Sequence, residues 1–245
     1  MSNKVAWLFP YWKNSFEHYY AELSLPQGTD ACLYYQLSIK QRDGIPLSGD
    51  EEVKWKSMSN LNYSFNKAWE TGSYIAPNAM PTKMFKKPIL DLPKELPTTN
   101  EIAFSITGGY LIISQDFYNV LSKARLGKTH FSQVQFYDII TQELLTNTPY
   151  YFINIAEQRE WVDTSISKNI SKNPYNPSLP TFYLYSVQND DIKLVNQART
   201  SEVDIWCDPQ FNQSFFMSEK LVHQLIKAGI SHEQLGLIAC DIIQN

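Results

Sequence analysis

From residue 101 onward, apolar and polar positions follow a strand–helix–strand order. Residues 102–106 and 111–113 read as strands, and Ser114 stands where a helix N-cap belongs. Phe117, Val120, Leu121 and Ala124 then recur at i, i+3, i+4 and i+7, which places them on one face and predicts a helix over 115–125. Gly127 supplies its stop, and Val134, Phe136 and Ile139 predict the strand that follows. A second unit of the same kind comes later: strand 215–217, cap Ser218, helix 219–228, stop Gly229 and strand 235–240. Ser114/Ser218, Leu121/Leu225, Lys123/Lys227 and Ala124/Ala228 match when the two are aligned. A duplication accounts for this, and so does the generic look of any capped amphipathic helix. Residues 150–155, 181–187 and 203–207 are strand-like, and the Ser/Asn/Pro-rich stretch 165–180 reads as a mobile surface loop.

The first hundred residues have a different texture. Strand-like runs at 5–9 and 32–37 alternate with turn-rich stretches at 26–30 and 43–50. Pro46, Pro77, Pro81, Pro88, Pro93 and Pro97 argue against long regular elements there, because proline has no N–H for a ladder. The expected organisation is therefore a strand- and loop-rich region over 1–100 and an α+β domain over 101–245. The expected class is α+β, strand-rich with a few helices, including the two related strand–helix–strand units.

Composition narrows the function. A chain of 245 residues, 43% hydrophobic and 14% aromatic, can bury its own core without disulfide or metal support. A net charge of −4 gives no electrostatic basis for gripping nucleic acid and suits a basic protein partner better. Cys32, Cys207 and Cys240 form no CxxC pair, as expected in a reducing compartment, and burial is the default reading of each. The N-terminal apolar patch is short and interrupted by Pro10, and no run approaches the roughly 18 apolar residues of a membrane span. Cytoplasmic residence and no membrane partner are the expectation.

Candidate chemistry is sparse. His18, His130, His223 and His232 show no HExxH and no zinc spacing with the cysteines, so no metal or cofactor is expected. A Cys207–His223 dyad would need a base to activate the thiol, yet Cys207 sits where a strand runs into a turn. Asp204 and Asp208 would share a face only on a helix, and Ile205, Trp206 and Pro209 favour extended chain with a turn at Asp208-Pro209. Gly108-Gly109 reads as a tight hairpin and not as a nucleotide loop. No catalytic residue is assigned. The aromatic pairs Tyr19-Tyr20, Tyr34-Tyr35 and Tyr150-Tyr151 are core or interface anchors. The acidic pairs Glu51-Glu52 and Asp190-Asp191 are candidate partner-binding positions that would steer a basic protein.

Three ordered blocks between Leu111 and Asp241 resemble a bacterial polymorphic-toxin immunity family of the Imm-eleven type. They are Ile112-Ile113-Ser114 with its helix and following strand; Tyr150-Tyr151-Phe152-Ile153-Asn154-Ile155 followed by the segment from Trp161 through Asp163 to Ser167; and Phe215-Phe216-Met217-Ser218 running through Leu225 and Gly229 to Leu237. The chain departs from the family pattern at His232-Glu233-Gln234 and at the acidic stretch Asp204 to Asp208. The resemblance implies a non-enzymatic, cytoplasmic protein that neutralises a cognate toxin by occluding its active site. It implies structural roles for Ser114, Asp163, Ser167, Ser218 and Gly229. Two rival readings are an immunity enzyme that reverses the toxin's modification, drawing on His130, His223, Asp163 or Glu160, and a structural component of a secretion system.

Overall fold

The run Val5 to Phe9 is apolar at consecutive positions because strand β1 (Lys4–Pro10) is covered on both faces. In a strand successive side chains point to opposite sides. Ala6 and Leu8 accordingly enter one core, while Trp7 and Phe9 pack with the other. The computed structural model describes residues 4–10, 18–19, 21–25, 28–87, 103–106, 110–172, 181–211, 214–231 and 235–243. After β1 come β2 (His18–Tyr19), β3 (Ala21–Ser24), α1 (Ala31–Arg42), α2 (Gly49–Glu70) and β4 (Lys83–Lys86). Next are β5 (Ala103–Ile106), β6 (Leu111–Ser114), α3 (Gln115–Leu121), β7 (His130–Asp138) and β8 (Tyr150–Asn154). The remainder holds β9 (Ile170–Lys172), β10 (Phe182–Leu184), β11 (Lys193–Leu194), β12 (Ile205–Trp206), β13 (Ser214–Ser218), α4 (Glu219–Lys227) and β14 (Ile238–Ile242). The fold is α+β, as the pattern predicts.

The strands form three sheets. One has five strands in the order β11-β14-β1-β13-β12, another seven in the order β2-β5-β6-β8-β7-β4-β3, and β9 and β10 make a two-stranded ribbon. The larger core lies between the two big sheets and joins Phe9, Phe215 and Met217 of the first to Ile112, Phe136 and Phe152 of the second. On the far side of the five-stranded sheet, Leu8, Trp206, Phe216 and Cys240 pack with Val187, Ile192 and Leu194.

This topology corrects the expected boundary near residue 100. Strand β1 is the middle strand of a sheet otherwise made after residue 190, pairing with β13 and β14, and β4 adds in parallel to β7. Residues 1–100 do not stand apart as a separate unit among the described residues. The N-terminal region is also more helical than expected. Residues 32–37, read as a strand-like run, lie inside α1, where Asp30 accepts the N–H of Leu33 as N-cap and Lys40 and Arg42 occupy the last turn. The prolines do not prevent a 22-residue helix because Pro46 and Pro77 flank α2 and none falls within it. Its start is a capping box: Ser48 Oγ accepts the Glu51 N–H while Glu51 accepts the Ser48 N–H. Tyr34 stacks on Trp55, whose Nε1 donates to Ser38 Oγ, so the two helices clasp as a hairpin.

Both strand–cap–helix units form. Helix α3 ends four residues sooner than predicted: the Lys123 and Ala124 N–H groups tighten onto the Val120 and Leu121 carbonyls, and the Arg125 N–H beyond them donates to Asp204 Oδ2 at 2.9 Å. The stretch 165–180 is not wholly loop: Ile170–Lys172 pairs with Phe182–Leu184. The strand expected over 203–207 is shortened to two residues, since the flanking N–H groups of Asp204 and Cys207 turn to Arg125 and Glu157. Gly108-Gly109 and the His232–Gln234 departure lie outside the described residues.

Candidate functional site

The residues singled out for structure do structural work. Ser114 Oγ accepts the N–H of Phe117, and Ser218 Oγ accepts that of Leu221. Gly229 ends α4 at φ +86°, a left-handed conformation that favours glycine. Asp163 accepts the Ser165 N–H and hydroxyl, which holds its carboxyl below the usual range, while Ser167 Oγ donates to the Asp163 carbonyl and accepts the Lys193 N–H. The segment from Asp163 to Ser167 is thus a turn stapled to β11.

The four acids proposed for partner binding occupy two separate elements. Glu51 belongs to the capping box and pairs with Lys40 at 2.5 Å; Glu52 pairs with Lys56 one helical turn on at 2.6 Å. Asp191 accepts the Gln188 N–H and the Asn169 amide, and Asp190 adopts φ +68° in the turn before β11.

Nor do the side chains considered for catalysis gather. The His130 ring lies between the carbonyls of Ile75 and Lys128, His223 pairs with Glu219 on the exposed side of α4, and Glu160 is exposed. Burial pushes the Cys207 thiol up to about 12, so it carries almost no thiolate at neutral pH, and burial also raises Cys32 and Cys240. Among the described residues no group of three His, Cys, Asp or Glu side chains could hold a metal, and no helix is long and apolar enough to cross a membrane.

Two features lie outside the sequence reading of sites. The first is the pair of fully buried aspartates that bracket β12, both 0% exposed. Burial acts to raise the pKa of Asp204, but the Arg125 guanidinium, the Arg125 N–H and the Ser218 hydroxyl outweigh it and hold the carboxyl at about 2. Among the described residues no cation pairs with Asp208. Its oxygens accept the N–H groups of Trp161, Val162 and Gln210, and burial prevails, raising its pKa. The turn expected at Asp208-Pro209 is present, with the Phe211 N–H bonded to the Asp208 carbonyl. Two aspartates set among Val203, Ile205, Trp206, Cys207 and Phe211 were the available signal.

The second is a cavity of about 170 Å³ where the C-terminus of α2, the end of β8 and the 207–215 segment meet. Trp69, Ile153, Ile155, Phe211 and Phe215 supply apolar wall, and among the described residues Glu70 and Asp208 are the charged ones that line it. The Trp69 indole N–H donates to the Ile153 carbonyl, and Gln158 Nε2 donates to the Thr71 and Gly72 carbonyls, which fixes the helix end that forms the mouth. Asn154, fully buried, ties Ser73 and Ile75 to β8. Thr181 and Ser214 also line the cavity, and their buried hydroxyls have no hydrogen-bond partner among the described residues. No residue pattern announces this cavity, since its walls come from positions as distant as Trp69 and Phe215.

The described surface includes an exposed apolar tip. Beyond β7 the chain reverses with Ile140, Leu144 and Leu145 at 68%, 40% and 40% exposure. Asp138 organises that turn: Oδ1 accepts the N–H groups of Ile140 and Thr141, the carbonyl accepts Gln142 N–H, and the Asp138 N–H returns to Glu143. Gln142 takes φ +60° to complete it.

Comparison with known protein families finds no match to this chain, and comparison with curated proteins finds none either.

Proposed function

We propose that this protein is a binding protein, acting in the cytoplasm as an immunity factor that neutralises a cognate toxin by covering its active site. The observation that carries this reading is the Asp138-organised turn. Apolar side chains held out on a backbone with its hydrogen bonds already made lose little freedom on docking, which is how a small surface becomes a strong contact. The resemblance of the three sequence blocks over 111–241 to an immunity family is what points to a toxin as the partner. The engagement of His130, His223 and Cys207 in packing and hydrogen bonds fits a scaffold better than a catalyst. With Glu51, Glu52 and Asp191 already paired, steering of a basic toxin falls to the summed charge of −4, which is also unsuited to nucleic acid.

Co-expression with the effector encoded by the adjacent gene tests the reading. Protection should require about one copy per toxin. Ile140→Asp combined with Leu144→Asp should abolish protection while leaving the melting temperature within a few degrees. Protection by substoichiometric amounts would shift the assignment to an enzyme that reverses the toxin's product, and homo-oligomers formed without toxin would shift it to a secretion-apparatus component.

A further inference from the structure

We infer that the cavity between α2, β8 and the 207–215 segment is a binding site for a small organic cation, an ammonium group carried on an apolar body. Size limits the body. A cavity of about 170 Å³ is close to the roughly 150 Å³ apolar cavity that takes up benzene in another protein, so it holds one ring or a short alkyl chain. Trp69, Ile155, Phe211 and Phe215 supply the apolar wall for that part of the guest.

The charges around the cavity set the sign of the head group. Glu70 and Asp208 line it, and among the described residues no Lys, Arg or His does. Its mouth is also where the 22-residue α2 ends, at the negative pole of that helix's backbone dipole. The two acids act differently. Asp208 is enclosed, with its oxygens already on the N–H groups of Trp161, Val162 and Gln210, so it does not touch a guest and contributes only its field. Glu70 is partly exposed. Asn66 Nδ2 donates to its Oε1, and among the described residues Oε2 has no hydrogen bond, which leaves that oxygen to meet an ammonium at the mouth. There the ammonium keeps part of its water while the apolar body leaves water behind, so the full cost of burying an ion is not incurred. An anion meets like charge and no cation. A metal ion fits worse than an organic cation, because among the described residues no three His, Cys, Asp or Glu side chains gather to hold one.

Calorimetric titration of the full chain at pH 7 with benzylamine, benzyl alcohol and benzoate tests the assignment, since the three share a ring and differ in charge. Benzylamine should bind saturably and about tenfold or more tighter than benzyl alcohol, the lower end for a hydrogen bond to a charged group, and benzoate should not saturate. Glu70→Gln keeps an acceptor for Asn66 and removes the charge. It should bring benzylamine to within about threefold of benzyl alcohol and leave benzyl alcohol unchanged. Ile155→Phe, a larger side chain in the wall, should abolish binding of both; if that variant fails to fold, the Glu70 variant still decides. A free amine and a lysine side chain of a partner share this chemistry, and butylamine against Nα-acetyl-lysine amide, with its ammonium on the same four-carbon stem, separates them. Equal affinity assigns the site to a protein side chain, and binding of butylamine alone assigns it to a free amine. The assignment is overturned if benzylamine does not saturate, if benzyl alcohol or benzoate binds as tightly, or if the Glu70→Gln variant binds benzylamine like the parent.

Discussion

The two strand–cap–helix units, β6–α3 and β13–α4, share a local design and differ in what holds the cap. In the first, Ser114 Oγ accepts one N–H at 3.4 Å and the helix runs seven residues. In the second, Ser218 Oγ accepts its N–H at 3.1 Å and also donates to Asp204 Oδ1 at 2.8 Å, while the Ser218 N–H donates to the Asp204 carbonyl. Asp204 in turn receives the Arg125 guanidinium at 2.8 and 3.1 Å from just beyond the first helix. One buried carboxylate therefore takes a backbone N–H just beyond the first helix, braces the cap of the second and locks the units together. Similar sequence made the elements alike; a single acid made them unequal.

That inequality can be broken in order of expected size. Arg125→Met should have the largest effect, about 3 kcal/mol by urea denaturation at pH 7, because it leaves Asp204 charged and enclosed without a counter-ion. It should also reverse a pH trend. In the parent the Asp204 carboxyl lies below its ordinary value, so its contribution of about 2 kcal/mol is complete above pH 4 and fades as the pH falls towards 2. Without the arginine, burial makes the protonated form the favoured one, and the variant should gain stability between pH 7 and pH 4. Denaturation midpoints across that range would show the change of slope, and a parallel pair of curves would refute it.

Next come Gly127, in a turn beyond α3, and Gly229, which ends α4. Gly127 sits at φ +58°, and an added Cβ would collide with the side chain of Glu157, which is buried, bonded to the Lys128 N–H and paired with Arg159. Gly229 sits at φ +86° with open space around it. Gly127→Ala should therefore cost about 2–3 kcal/mol and Gly229→Ala about 1 kcal/mol, the second reflecting backbone conformation alone. Thermal melts of both variants would separate steric from conformational cost.

The smallest contrast is between the caps themselves. Ser218→Ala should lose about 2 kcal/mol and Ser114→Ala about 1 kcal/mol, because only the first also deprives Asp204 of a hydrogen bond. Equal losses would mean that the Asp204 contact adds nothing to the cap. In the Arg125→Met background the two losses should no longer add independently for Ser218, since both changes act on one carboxylate.

How far the residues announced this arrangement depends on range. Helix α4 was legible because its cap, apolar spacing and Gly229 stop all lie within a dozen residues. Helix α2 was equally available through Ser48 and Glu51, and was obscured by counting prolines without their positions. The span of α3 was overextended because its last turn tightens and the chain beyond it is held by Asp204, 79 residues from Arg125. Cavity walls were invisible for the same reason, as no local period links Trp69 to Thr181 or Ser214.

The sequence by itself determined the α+β class, the caps and stops of the C-terminal helices, and the two-faced apolar character of Val5 to Phe9, since propensity, capping and strand alternation act over a few residues. Only the tertiary structure decided that β1 would lie between β13 and β14, that Asp204 and Asp208 would be buried with opposite pKa shifts, and that a cavity would open beside α2. Those outcomes depend on which distant groups displace water from one another, and burial of that kind is set by packing between elements, not by the order of residues within them.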